Sequence, residues 1–497
     1  MALCKRLIAR LDVKGSRLIK GVRFEGVRVL GDPSEAALRY AQAGADELLY
    51  VDAVASLFGR NSLSDLLRKT CIEVFIPITA AGGVRSVEDA AALLSAGADK
   101  VAVNTAALER PELITELAEA FGRQCVVASI QARRIASGSW EAMKEAGRER
   151  TGRDVCEWIK CLEELGAGEI LLTSVDQDGT CSGPDHHLIN VASSITSVPL
   201  VVGGGFSDFD QIQSALMQKN VSAVSLGASL HSNRLNLASV KKKIEKYSPI
   251  IPFRSISSAP TSLASDDSPL CGVKDSSLSD CRIGVINYGM GNQQSLINAL
   301  ETLGAEVLLT DKPSILASCD LLTLPGVGAF PKGMDSLRLR GLDVWLRNEW
   351  VALGKPLLGI CLGMQMLFES SSEFKRTLGL GFVRGHVKSL PSIDLYGLPL
   401  VLPHMGWNRL INGSAHLGDG SFDHINQYFV HTFAAVDVDP SVIMFYARYG
   451  HRDFVAAVRY GSVVGFQFHP ERSGSAGLRL LSSACSEMIF SFDSPNS

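Results

Sequence analysis

The chain has 497 residues, 46% of them apolar, and a formal net charge of -4. That length predicts two domains of roughly 200–250 residues each, and no Lys/Arg run marks a nucleic-acid face. No uninterrupted apolar run reaches the ~20 residues that span a bilayer, and the opening MALCKRLIARLDVKGSRLIK carries charges throughout rather than a signal peptide's apolar core. The eleven cysteines are odd in number, scattered and without a CxxC pair. Neither a zinc site nor a disulfide framework is expected, no cofactor is called for, and a reducing cytoplasm is the simplest compartment.

Eight short apolar runs come first in chain order: RLIARLDV, ELLYVDAVAS, VFIPITAAGG, DKVAVNTAA, CVVASIQA, EILLTSVDQDG, VPLVVGGG and VSAVSLGAS. Amphipathic stretches such as SVEDAAALLSAGA fall between them. The pattern predicts an α/β chain whose residues 1–247 form a (β/α)8 TIM barrel. Pro77–Val84 resembles Pro199–Phe206, and GADELLYVDA at 44–53 resembles GAGEILLTSVD at 166–176. The two spacings agree, so the barrel reads as a duplicated half-barrel. Residues 248–280, rich in Ser, Pro and Asp, read as a linker. From 281 to 497 strands and helices alternate again, turning antiparallel in character from about 381, as in an α/β layered domain.

In the second domain, Pro356-Leu357-Leu358-Gly359-Ile360-Cys361-Leu362-Gly363 is an apolar strand running into G-x-C-x-G and a helix. This is a nucleophile elbow with Cys361 as nucleophile, where the helix start favours a thiolate. The Leu362 N–H is a candidate oxyanion donor, and Gly326 and Val327, after another strand, are candidates for a second. Downstream, a strand ends in His469-Pro470-Glu471. His469 is the candidate base and Glu471 its orienting partner.

In the barrel, Gly82 and Gly83 sit half a barrel from Gly203, Gly204 and Gly205, and Asn104 and Thr105 sit half a barrel from Gly227, Ala228 and Ser229. Glycine lets backbone N–H groups approach phosphate oxygens, so a ligand with a phosphate at each end is expected. Asp12, Asp52 and Asp176 fall at strand C-termini, the face where barrel chemistry belongs.

GICLGMQ and FQFHPE resemble the class I glutamine amidotransferases, and INYGMGN, PGVGAF, PHMGWN and YFVHTF narrow the likeness to the glutaminase subunit of imidazole glycerol phosphate synthase. The first 240 residues or so resemble its cyclase subunit, through RLDVKGSRLIKGVRF, GGVRSVEDA, GADKVAVNTAA and ELGAGEILLTSVDQDGTCSG. The resemblance implies that ammonia from glutamine cleaves a bis-phosphorylated aminoimidazole carboxamide ribonucleotide and closes an imidazole ring. It implies Asp12 as main acid/base, Lys20 assisting, and phosphates held by the glycine clusters with Asn104, Thr105 and Ser229. It further implies an ammonia gate of Arg6, Glu47, Lys100 and Glu169, and a place for His404 and Trp407 near the interface with the synthase. The partners so implied are small molecules and the chain's own second domain, not nucleic acid or membrane.

Three departures stand out. The family's second catalytic aspartate is replaced by Gln131, which hydrogen-bonds but does not exchange protons near neutral pH. The family's HPEKS reads His469-Pro470-Glu471-Arg472-Ser473, keeping the charge but not the shape. The barrel precedes the glutaminase, the reverse of the order associated with single-chain versions. Gln131 keeps two other readings open: a paralogue serving a different ammonia acceptor, such as a sugar, or a barrel that only binds a phosphate ligand and regulates the glutaminase.

Overall fold

The computed structural model describes residues 3–53, 63–249, 251–254, 277–290, 292–415, 417 and 422–493, so most of the expected linker lies outside the described residues. The chain divides into two compact units, Leu3–Asp267 with Val401–Trp407, and Ser268–Leu400 with Asn408–Ser497.

The first unit holds eight parallel strands: β1 (Arg6–Lys14), β2 (Glu47–Asp52), β3 (Ile78–Ala81), β4 (Lys100–Val103), β5 (Val126–Ala136), β6 (Glu169–Ser174), β7 (Leu200–Gly203) and β8 (Val221–Leu226). Each pairs with its sequence neighbours, and β8 returns to β1, which closes the barrel. Alternate side chains point into the lumen. Ile8, Leu49, Ala81, Ala102, Val127, Leu171, Val201 and Ala223, one from each strand, fill it as a buried apolar layer.

The duplication is visible in the caps. Asp32 accepts from Ser34 N and Glu35 N at the head of α1 (Pro33–Gln42), and Ser86 accepts from Asp89 N before α2 (Val87–Ser95). Half a barrel on, Asp154 does the same for α3 (Val155–Glu164), and Asp208 accepts from Gln211 N before α4 (Phe209–Leu216). Each cap satisfies N–H groups a helix start leaves unpaired. Two antiparallel hairpins complete the repeat: Arg17–Val22 with Glu25–Gly31 after β1, and Ser139–Lys144 with Glu149–Asp154 after the matching strand β5. Within this unit Trp407 is buried, donates its indole N–H to Asp46 O at 3.1 Å, and carries the Arg254 guanidinium 4.2 Å over its ring. His404 is also buried.

The second unit is built on a nine-stranded sheet. Its parallel part runs β10–β9–β11–β12–β17, where β9 is Arg282–Ile286, β10 Glu306–Thr310, β11 Leu321–Leu324, β12 Leu357–Ile360 and β17 Val463–Phe466. Beyond β17 the sheet turns antiparallel through β16 (Arg452–Tyr460) and β15 (Ile443–Tyr449), with β13 (His404–Asn412) and β14 (Asn426–His431) at the far edge. Among the described residues, no helix is long and apolar enough to cross a membrane, and no group of His, Cys, Asp and Glu is placed to hold a metal ion.

Candidate functional site

The parallel strands β12 and β17 are neighbours, Ile360 opposite Phe466, so the residues leaving their C-terminal ends meet. Cys361 follows β12 with φ 53° and ψ −107°, a positive-φ conformation outside the standard regions, which a non-glycine residue holds only when its surroundings impose it. Its N–H is tied to Phe466 O at 2.6 Å, and the helix Leu362–Met366 starts behind it. After β17, Gln467 Nε2 lies 3.7 Å from Cys361 Sγ, and His469 Nδ1 lies 2.7 Å from Glu471 Oε1. All four side chains are buried. Burial lowers the His469 pKa, but Cys361 and the Glu471 carboxylate outweigh it and hold the imidazole well above its ordinary value. A second buried imidazole, His431, goes the other way: burial pushes it down to about 4.

The oxyanion donors differ from the sequence expectation. The Leu362 N–H does not stand open: it donates to Gly326 O at 3.3 Å. Tyr288 Oη holds the preceding carbonyl, Pro325 O, at 2.5 Å. The stretch containing Gly326 and Val327 thus turns an acceptor toward the donor that an oxyanion needs. Three further polar side chains of this unit were not singled out in the sequence. Gln365 Nε2 donates to Gln467 Oε1 at 3.1 Å and to Phe433 O at 2.9 Å. Thr432 Oγ1 is buried without a hydrogen-bond partner. Glu373 accepts from Phe330 N at 2.7 Å, and burial pushes its carboxyl up to about 7. Only the alternation of Gln467 with His469 along the chain was a usable signal for these groups.

At the barrel's N-terminal end, Arg6, Glu47, Lys100 and Glu169 are each the first residue of a strand. They form a closed ring of ion pairs: Arg6 to Glu47 at 2.7 Å, Glu47 to Lys100 at 2.7 Å, Lys100 to Glu169 at 2.6 Å, and Glu169 to Arg6 at 2.5 Å. All four are almost fully buried. Burial raises the Glu169 pKa, but Arg6 and Lys100 outweigh it and hold the carboxyl below its ordinary range.

At the other end a cavity of about 290 Å³ is lined by Asp12, Lys20, Asp52, Gly82, Gly83, Asn104, Thr105 and Gln131, among others. Gly204, Gly205 and Ser229 line a smaller adjoining cleft. Gly82 and Gly204 repeat one backbone need: both have positive φ, and a Cβ would meet Asp52 O at 2.7 Å in one and Ser174 O at 2.8 Å in the other. Gly203 lies in β7 itself and lines neither. Both Asn104 and Thr105 already hydrogen-bond within the protein. Asn104 Nδ2 donates to Met143 O at 3.1 Å, and Thr105 Oγ1 accepts from Glu145 N at 3.1 Å.

Asp176 stands apart from both spaces. Its carboxylate accepts from Arg134 N at 2.8 Å. Asp178, two residues on, takes its place, accepting from Lys20 Nζ at 2.9 Å. The same Lys20 Nζ lies 2.7 Å from Asp12 Oδ2. Arg10, also unmarked in the sequence, donates to Asp12 Oδ1 at 2.7 Å. Burial raises the Asp12 pKa, but Arg10 and Lys20 outweigh it and hold the carboxyl far below the usual carboxylate range.

Comparison with known proteins agrees with this division. A family model described as histidine biosynthesis protein matches residues 6–236, and one described as class-I glutamine amidotransferase matches 284–485. The imidazole glycerol phosphate synthase subunit HisF of Legionella pneumophila is 55% identical over 206 residues, covering 41% of this chain and 97% of that protein. HisF of Bacillus cereus (strain AH187) is 45% identical over 242 residues, 49% of this chain and 96% of that protein. HisF of Prochlorococcus marinus (strain MIT 9215) is 45% identical over 251 residues, 50% and 98%. The chain therefore belongs to the imidazole glycerol phosphate synthase family, with a HisF-like barrel followed by a class-I glutamine amidotransferase domain on one polypeptide.

Proposed function

We propose residue roles for this imidazole glycerol phosphate synthase of histidine biosynthesis. Cys361 attacks the side-chain amide carbon of glutamine. The carbon–nitrogen bond breaks, a glutamyl thioester forms, and His469 passes the thiol's proton to the departing ammonia. Water then cleaves the thioester to glutamate and restores the thiol. Glu471 fixes the imidazole's tautomer and steadies its positive charge. The observation that carries this reading is the buried His469–Glu471 contact beside a cysteine held at positive φ.

The tetrahedral intermediate needs donors at its oxyanion. Turning the Gly326–Val327 peptide over removes the carbonyl from the Leu362 N–H and offers the Val327 N–H in its place. The resting glutaminase is therefore slow, and it speeds up when the barrel is loaded. Ammonia enters the barrel through the Arg6–Glu47–Lys100–Glu169 ring and reacts beside Asp12, with Lys20 and Asp178 completing the polar wall. The two glycine clusters with Asn104, Thr105 and Ser229 hold the phosphates. The neutral Gln131 leaves Asp12 as the carboxylate working from β1.

The test is glutamate release from glutamine with and without the bis-phosphorylated ribonucleotide, with intact-mass detection of a glutamyl adduct on Cys361. The reading expects an adduct and a faster rate with ligand present. Glutamate release that persists in Cys361→Ala would overturn it.

A further inference from the structure

The lumen-facing positions of β1 follow one another at every second residue. Arg6 belongs to the ion-pair ring, Ile8 to the apolar layer, and Asp12 to the cavity wall. Arg10 is the side chain between that layer and Asp12, and only 5% of it is exposed. Besides its bond to Asp12, its Nη1 lies 3.4 Å from Thr173 Oγ1 and 3.9 Å from Asp178 Oδ1. The guanidinium stands 5.5 Å over the Phe24 ring.

Thr173 is the register partner of Gln131 on the neighbouring strand β5. Gln131 lines the same cavity as Arg10 and Asp12, and its Oε1 is buried without a hydrogen-bond partner. Two cations, Arg10 and Lys20, thus face two carboxylates, Asp12 and Asp178, with a neutral amide beside them. Buried charges persist only when compensated, and this set is balanced as it stands. A neutral residue at 10 or an acid at 131 would each leave one negative charge in excess. An acid at 131 would also compete with Asp12 for the guanidinium.

We infer that Arg10 is a positioning residue of the barrel reaction: it holds and aims the Asp12 carboxylate, and its charge is matched to the neutral Gln131, so that the two positions act as one unit. Ammonia adding to an electrophilic carbon places positive charge on nitrogen. A carboxylate fixed in place and kept ionised stabilises that charge without having to reorganise. Arg10 Nε holds Asp12 Oδ1 from below while Lys20 Nζ holds Oδ2 from the hairpin.

The inference rests on the synthase reading of the barrel, and ammonium-supported product formation tests both in the full-length chain. The variants are Arg10→Met, Arg10→Lys, Gln131→Asp and the double Arg10→Met/Gln131→Asp. If the wild type forms no product from ammonium, the synthase reading itself fails. With an active wild type, Arg10→Met lowers kcat about 10²-fold, as expected for loss of a positioned acid/base group. KM for the ribonucleotide moves less than about threefold, because Arg10 acts through Asp12 rather than through uniform substrate binding. Arg10→Lys recovers at least about tenfold of the loss, and the double variant, with two negative charges in excess, is at least about tenfold less active than the product of the two single effects, the size of coupling expected within one charge network. Unchanged kcat in Arg10→Met, no recovery with lysine, or independent effects at 10 and 131 would overturn the proposal. Should Arg10→Met fail to melt cooperatively, Arg10→Gln, neutral but polar, takes its place in the cycle and is judged by the same criterion.

Discussion

The two candidate catalytic centres organise charge in opposite ways. At Cys361 the reacting groups come from two adjacent strand ends, and Glu471 is only two residues from the imidazole it orients. There the control lies in the backbone, in the strained Cys361 and in the Gly326 carbonyl that occupies the Leu362 N–H. In the barrel, control lies in crowded charge. Arg10, Lys20, Asp12 and Asp178 hold one another at the mouth, and Arg6, Glu47, Lys100 and Glu169 close a ring at the far end. A centre governed by a peptide's direction can be switched by a small rotation. One governed by matched ion pairs is fixed in place and sensitive to the removal of any member.

The largest expected effect separates the two centres outright. Cys361→Ala lowers glutamine-supported synthesis by at least about 10⁴-fold, the scale of losing a nucleophile, while ammonium-supported synthesis stays within about twofold. Comparing initial rates with the two nitrogen sources checks it. Next, Asp12→Asn lowers ammonium-supported synthesis by roughly 10²–10⁴-fold and leaves ligand-free glutamate release unchanged. A parallel fall in both activities would show that the centres are not separable.

A third difference lies in stability. Lys100→Met leaves Glu47 and Glu169 sharing one cation and costs about 3–5 kcal/mol, read as a lower urea midpoint for the barrel's fluorescence transition. An unchanged midpoint would mean that water reaches the ring freely. The smallest effect belongs to the other unit. Glu373, raised to about 7 by burial, stabilises the fold fully below the ordinary carboxylate pKa, and that stability is lost as pH rises through about 7. Glu373→Gln, which keeps an acceptor for the Phe330 N–H, should therefore gain on the wild type in thermal midpoint between pH 5 and pH 8.5. The full linkage amounts to roughly 3 kcal/mol. A midpoint difference that does not vary with pH would refute the burial argument.

Much of this was legible in the sequence because its signals are local or periodic. The eight strands follow from apolar runs, the half-barrel repeat from matched segments, and Cys361, His469 and Glu471 from short motifs at strand ends. The ion-pair ring was legible only through family likeness, since four isolated charges far apart in the chain carry no pattern of their own. Asp176 and Asp178 could not be ranked, because both sit in one turn after β6 and only the turn's geometry decides which carboxylate faces Lys20. The state of the oxyanion site was equally hidden: a peptide and its flipped form have the same sequence. Arg10, by contrast, was within reach, since every second residue of β1 faces the lumen and 6, 8, 10 and 12 form one series.

The central claim is that one chain makes ammonia at Cys361 and consumes it beside Asp12. Its most direct test follows glutamate and imidazole glycerol phosphate together, from glutamine and the ribonucleotide, with alanine dehydrogenase, pyruvate and NADH present to capture escaping ammonia as alanine. The account predicts that the two products appear one for one and that the scavenger does not change the ratio. Glutamate accumulating without the imidazole product would contradict it.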